Sequence, residues 1–199
     1  MKISMVIPTY TLNDELEEMA INCAVSYGDQ VDQLIIVEDG GRYSEQLRKY
    51  ADIYIYNTDN KGFTANVNRG WRNADGDFVM IVSSDTILLH HGNLEDLCIE
   101  GKVTSPEIVN QYIDRLAGPF FCVPKEVTKE RGMLREEMHT YSSDSEFDNR
   151  VADIFEKVPS VQIFHEQAKT VSAAGVEGGE QQRIDREAYQ KLIEEGKAK

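Results

Sequence analysis

Asn60-Lys61-Gly62-Phe63-Thr64-Ala65-Asn66-Val67-Asn68-Arg69-Gly70-Trp71-Arg72-Asn73-Ala74-Asp75-Gly76-Asp77-Phe78-Val79-Met80-Ile81-Val82-Ser83-Ser84-Asp85-Thr86 decides how this chain folds. Its first half is amphipathic and helix-like, with small residues at Thr64, Ala65, Asn66, Asn68, Gly70 and Ala74, and it runs into a turn at Asp75-Gly76. The apolar run Phe78 to Val82 that follows reads as a buried strand, central in a parallel sheet, because such strands are covered on both faces. It stops at Ser83-Ser84-Asp85-Thr86, a polar cluster at a strand's carboxyl end, which is where open α/β sheets bind ligands. Asp85 is then either a ligand-binding carboxylate or the cap of the next segment.

Working toward the amino terminus, Ile3 to Ile7 reads as a first strand closed by Pro8-Thr9-Tyr10. Residues 13–27 carry Leu16, Met19, Ala20, Cys23 and Ala24 on a helical stripe, capped by Asn13 or Asp14. Leu34 to Val37 is a second strand ending at Glu38-Asp39-Gly40-Gly41, Ser44 to Tyr50 is helical, and Ile53 to Tyr56 is a third strand ending near Asn57. Strands alternating with helices imply βαβ units and a mostly parallel sheet. Three of these strands end in polar clusters on one sheet edge, so one shared site accounts for them better than three separate caps.

Toward the carboxyl terminus the pattern changes. Val103 to Pro106 is a short strand, Ile108 to Leu116 is expected to be helical, and Gly118 to Pro124 is an apolar segment held by two prolines, with a helix from Lys125. Arg131 to Tyr141 reads as a polar loop or short helix, Asp144 to Phe155 as a helix, and Val161 to Phe164 as a late strand ending at His165. From Gly175 the chain is charged, with Ile184, Tyr189, Leu192 and Ile193 as sparse apolar positions, so residues 176–199 are a peripheral helix or a link to a further domain.

Composition narrows the function. A net charge of −14 argues against a nucleic-acid backbone as main partner, though not against a phosphorylated small molecule neutralised by a divalent cation. No apolar run approaches the roughly 20 residues of a membrane span, and Met1-Lys2-Ile3-Ser4 leads straight into a strand without a signal-peptide pattern. Three widely spaced cysteines (Cys23, Cys98, Cys122) form neither a metal spacing nor a disulfide framework, so a reducing, cytoplasmic compartment is expected.

Together these motifs resemble the family 2 glycosyltransferases, nucleotide-sugar enzymes of the GT-A fold, from Ile3 to about Ser172. Val6-Ile7-Pro8-Thr9-Tyr10 is similar to the family's opening V-I-P-T-Y-N, with Thr11 where Asn is usual, and Ile35 to Gly41 to its I-V-D-D-G-S. Asn60-x-Gly62, Asn68-x-Gly70 and Ala74-x-Gly76-Asp77 follow N-x-G…N-x-G…A-x-G-[DE] position by position, the most specific signal present. Val82 to Thr86 takes the place of D-x-D and looks closest to the N-N-D-T of rhamnosyltransferase-like members, with Ser83 at the first acidic position, which leaves Asp85 as the motif's one carboxylate. Val103-Thr104-Ser105-Pro106 resembles the strand that follows in those members. Ser143 to Arg150 aligns with E-D-x-D-L-x-x-R, Ser143 and Glu146 being departures, and His165, with Thr170 and Ser172 beyond it, is placed like a late metal-binding His.

The resemblance implies an α/β, GT-A domain over residues 1–175, with a nucleotide-sugar half (1–86) and an acceptor half (87–175). It implies transfer, with inversion, from a UDP- or dTDP-sugar to a hydroxyl of a glycan or glycoprotein. Pro8, Thr9, Tyr10, Asp39, Asn60, Gly62, Asn68, Ser83 and Ser84 would bind the nucleotide sugar, Asp85 and His165 would hold Mn2+ or Mg2+, and Asp144 would be the general base. Outside that resemblance, Asp39 reads as a turn residue, Asp144 as a helix cap, Trp71 as core or else a ring stacked on a sugar or base, and His90-His91 as surface or an acceptor-side loop. The competing readings are a sugar-1-phosphate nucleotidyltransferase and a non-catalytic nucleotide-sugar binder. The first lacks its phosphate loop at Thr11-Leu12-Asn13-Asp14; the second is raised by Ser83 and Ser143. A DNA-modifying glucosyltransferase is disfavoured by the charge.

Overall fold

The computed structural model describes residues 1–89, 92–166 and 178–198. The first half follows the expected alternation: β1 (Ile3–Thr9), α1 (Asp14–Gly28), β2 (Gln33–Asp39), α2 (Glu45–Arg48), β3 (Ile53–Asn57), α3 (Phe63–Asn73) and β4 (Phe78–Val82). Asn13 caps α1, its side chain accepting from the Leu16 amide. Then come β5 (Thr86–Leu88), a 3-10 turn (Leu94–Leu97), β6 (Val103–Ile108), β7 (Phe120–Pro124), α4 (Lys125–Arg131), α5 (Ser143–Val151), β8 (Phe155–His165) and α6 (Gly178–Glu194).

The eight strands of the described residues join one sheet in the order β3-β2-β1-β4-β7-β6-β8-β5. β1, β2, β3 and β4 pair in parallel, β7 runs against β4 and β6, and β8 lies parallel to β6 with β5 antiparallel at the edge. The β-strand period of two sends Met5, Ile7, Met80 and Phe120 to the face covered by α1, where Tyr27 meets Phe120 edge-on at 5.6 Å. Val6, Val37, Ile81 and Phe121 face the other way, onto Val67 and Trp71 of α3 and Phe147 of α5. Trp71 is therefore core, 5.9 Å from Phe147 and 6.2 Å from Phe121 between ring centroids. Truncating such a ring costs about 3–5 kcal/mol. Gly70 lets α3 lie directly on β1 and β2: a Cβ there would run into Val6 and stand 3.0 Å from Val37 Cγ2.

The second half departs from expectation in three places. Residues 109–116 are irregular, not helical. The apolar spacing of Ile108, Ile113 and Leu116 suits a helix, but Asn110 instead bonds the His165 backbone twice, donating to its O at 2.8 Å and accepting from its N at 3.2 Å. Such side-chain-to-backbone bonds compete with helix. α5 ends at Val151, and Phe155 begins β8, which is 11 residues long and starts well before Val161. Its pairing with β6 slips between Pro106 and Glu107, opposite Pro159, Ser160 and Val161, because a proline cannot donate to the ladder. β5 and the 3-10 turn have no counterpart in the sequence reading. His90, His91, Thr170 and Ser172 lie outside the described residues.

Candidate active site

The carboxyl ends of β1, β2 and β4 meet the amino end of α5 and the end of β8 around one cleft of about 540 Å3. Behind Thr9 and next to Asp39, Glu38, wholly buried, is held by four donors: Thr9 Oγ1 (2.8 Å), Thr11 N (3.0 Å), Thr11 Oγ1 (2.8 Å) and Gly41 N (3.0 Å). Thr11, at the position where the family pattern carries Asn, thus completes this clamp. Thr9 spends its hydroxyl on Glu38, so what it offers the cleft is shape.

Asp39 lines the cleft from the end of β2. Its Oδ1 accepts from Lys61 N at 2.7 Å and Asn57 Nδ2 at 3.2 Å, its Oδ2 from Gly62 N at 2.8 Å. Burial pushes this carboxyl up, against those bonds, which pull it down. Asn57 Nδ2 also donates to Asn66 Oδ1 at 2.5 Å, and Asn66 to Val37 O at 3.2 Å, so β3 and α3, which flank the Asn-x-Gly segment, are tied to β2 by buried amides. Gly62 has φ +87°, and a Cβ on it would stand 2.5 Å from the His139 ring; only glycine fits both the backbone and the space.

Asp85 sits in the turn between β4 and β5. The register of β5 on β8 puts Thr86 opposite His165, and this brings the predicted pair together: His165 Nε2 lies 3.3 Å from Asp85 Oδ2, both largely buried. The turn is braced by Ser83 N on Pro119 O (2.8 Å) and Thr86 Oγ1 on Ser83 O (2.8 Å). Behind the imidazole, Gln111 Nε2 is 2.7 Å from Nδ1. With the amide turned half over, its oxygen accepts from Nδ1–H and leaves the Nε2 lone pair free for a cation. No group of three or more His, Cys, Asp or Glu converges as a metal site among the described residues. One carboxylate oxygen and one imidazole nitrogen nevertheless suit a divalent cation whose remaining ligands come from a bound diphosphate and water.

Asp144 opens the first turn of α5 and takes a bond from Ser145 N at 2.8 Å. It faces the Gly118-Pro119 turn at a distance only a residue without a side chain permits. Two residues before it, at the cap of α5, Ser142 has φ 65°, the one non-glycine residue in the left-handed region among those described. Such strain costs about 1–3 kcal/mol and gathers at functional sites. A second groove of about 330 Å3, lined by Tyr112, Asp114, Arg115 and Leu116, opens off the cleft at Gly118, Pro119 and Asp144.

Pro8, Thr9, Tyr10, Asp39, Asn60, Gly62, Ser83, Ser84, Asp85, Asp144 and His165 all line the cleft. Asn68 does not. Its amide clasps the next loop, donating to Leu134 O (2.8 Å) and Glu136 Oε1 (3.0 Å) and accepting from Leu134 N (3.2 Å). A donor-contact role is corrected to a structural one: on α3 this side chain points away from the face that borders the cleft. Glu146, the other departure in its motif, is buried between Arg135 (2.8 Å) and Arg150 (2.7 Å). Sequence reasoning missed Phe63, His139, Thr140, Tyr141 and Gln181, which also line the cleft. The last four come from a polar loop and a charged tail, where no periodicity marks them.

Residues 4–98 match the family model for glycosyl transferase family 2. A dolichol-phosphate mannosyltransferase of Pyrococcus furiosus is 29% identical over 91 residues, 43% of this chain and 26% of that protein. The mannosyltransferase PcManGT from Pyrobaculum calidifontis, solved with GDP-Man and Mn2+, aligns at TM-score 0.70 and 17% identity over 100% of this chain and 66% of its own. S. aureus TarS 1–349 with UDP-GlcNAc aligns at TM-score 0.68 and 16% identity over 97% and 67%. A further TarS structure is covered over only 44% of its length, at TM-score 0.65, so the chain spans about a quarter of the curated relative and less than half of that structure. The fold is GT-A, and the family match supports a family 2 glycosyltransferase.

Proposed function

We propose that this chain is a metal-dependent, inverting glycosyltransferase that moves a sugar from a UDP- or dTDP-sugar to a hydroxyl of a glycan or glycoprotein. One observation carries the reading: Asp39, the Asp85–His165 pair and Asp144 border a single cleft large enough for a nucleoside diphosphate sugar. In it the base and ribose lie against Tyr10, Asn60 and the Asp39–Gly62 corner. The diphosphate lies toward Ser83, Ser84, Asp85 and His165. A divalent cation held by Asp85 and His165 would neutralise the charge that develops on the leaving diphosphate.

The acceptor enters by the groove at Tyr112, a residue 89% exposed whose ring offers a face on which a sugar can stack. Its hydroxyl oxygen attacks the anomeric carbon while Asp144 takes the proton, the bond to the diphosphate breaks, and the electron pair leaves with the nucleotide. One in-line displacement inverts the anomeric configuration. Residues 1–86 then supply most of the donor site and 87–175 the acceptor side, with His165 reaching back to the diphosphate, as halves of one catalytic unit.

The rhamnosyltransferase-like subtype rests on Ser83-Ser84-Asp85-Thr86 and on Val103-Thr104-Ser105-Pro106, and structural neighbours solved with GDP-Man and UDP-GlcNAc widen the choice of nucleotide to be tested. The experiment is a thermal-shift panel of UDP, GDP, dTDP and CMP with and without Mn2+, on wild type and Asp85→Ala. A metal-dependent rise with UDP or dTDP, lost in the variant, is expected. A rise with GDP would move the donor class. A flat panel would overturn the donor site.

A further inference from the structure

We propose that the carboxyl-terminal helix belongs to the donor site: Asp185 is a positioning residue that sets the 139–142 wall of the cleft, and Gln181 contacts the bound nucleotide sugar. The inference rests on the function proposed above and adds a part of the chain that family motifs leave outside.

Asp185 is wholly buried on α6, yet it forms no ion pair among the described residues. It gathers three successive backbone amides instead: His139 N on Oδ1 at 2.9 Å, Thr140 N on Oδ2 at 2.8 Å and Tyr141 N on Oδ2 at 2.7 Å. A carboxylate met by consecutive N–H groups fixes the backbone between them, because charge-assisted bonds are about twice as strong as neutral ones. Burial opposes ionisation here, but these three bonds outweigh it and hold the carboxyl below its ordinary range.

The fixed segment leads straight to the nucleotide end of the cleft. His139 O accepts from Thr64 N at 3.1 Å at the start of α3, and its ring covers Gly62, whose own amide bonds Asp39. Asp185 is thus connected through His139 to the Asp39–Gly62 corner. One helical turn earlier, Gln181 Nε2 donates to Asp185 Oδ1 at 2.8 Å while Gln181 lines the cleft. That arrangement leaves its amide oxygen to accept from a hydroxyl of the donor's transferred sugar.

A helix held for packing alone would bury an apolar stripe. α6 leaves Ile184 43% and Ile193 38% exposed and buries Leu192. Its docking relies on polar bonds to the loop that walls the cleft, together with Arg135 Nη2 on Lys197 O at 2.6 Å.

The test is calorimetric binding of the nucleoside diphosphate selected by the panel, and of the corresponding nucleotide sugar, each with Mn2+, to wild type, Asp185→Asn, Asp185→Glu and Gln181→Ala, alongside amide exchange at 139–141. Asp185→Asn keeps the shape but sets an NH2 against an amide N–H. Its Kd is expected to rise about tenfold, with faster exchange confined to the loop, and Asp185→Glu to recover part of the loss. Gln181→Ala is expected to weaken the nucleotide sugar and spare the diphosphate. Kd values within about twofold of wild type in Asp185→Asn, with only a lower melting temperature, would reduce α6 to a structural prop and overturn the proposal. So would an unchanged nucleotide-sugar affinity in Gln181→Ala, the variant that decides the matter should Asp185→Asn fail to fold. Failure of the underlying function would show in wild type, as absent binding before any substitution.

Discussion

Asp39 and Asp144 are both carboxylates on the cleft, and their surroundings separate their work. Asp39 has both oxygens engaged by the amides of Lys61 and Gly62, so it shapes the nucleoside corner more than it reacts. Asp144 has one oxygen on Ser145 N and stands where the cleft meets the second groove, in the position a base must occupy between donor and acceptor. Asp144→Asn preserves size and that contact but cannot take a proton. Transfer should fall about 10²- to 10⁴-fold while nucleotide affinity stays near wild type. Paired turnover and calorimetry would check it, and a variant that loses both equally would show Asp144 to be a cap and nothing more.

At the scale of elements, the joint between β1 and β2 concentrates its polar groups on Glu38. Burial raises this carboxyl above its ordinary value of 4.5, opposed by the bonds from Thr11, Thr9 and Gly41. A raised folded value means that protonation is favoured by folding. The stability Glu38 contributes is therefore full below 4.5 and is lost as pH rises through the folded value. Against Glu38→Gln, which does not titrate, the wild type should lose relative stability over that window in denaturant titrations at stepped pH. A flat difference would mean that the four donors cancel the burial. The β5–β8 pairing is the other decisive joint. It carries Asp85 to His165 across 80 residues of sequence, and no pattern in Thr86-Ile87-Leu88 announces it.

For the whole molecule, the expectation of reduced cysteines becomes a measure of how tightly the sheet is covered. Burial pushes the Cys23 thiol up to about 12 and the Cys122 thiol well above its ordinary range, while Cys98 is half-buried. In native protein a disulfide reagent should reach at most Cys98, the other two reacting only at the rate of global unfolding. Fast labelling of more than one thiol would show that the sheet opens locally. The sequence by itself determined the alternating first half, the cleft at the strand ends and most of its lining. Those are local facts: an apolar run stops, turn residues follow, and a parallel sheet brings its carboxyl ends to one edge. Only the tertiary structure decided that 109–116 is irregular, that Asn68 clasps a loop, and that α6 gathers the 139–141 amides on Asp185 and brings Gln181 to the cleft. Each of these turns on a hydrogen bond to a backbone group distant in sequence, and such a bond leaves no period in the chain that makes it.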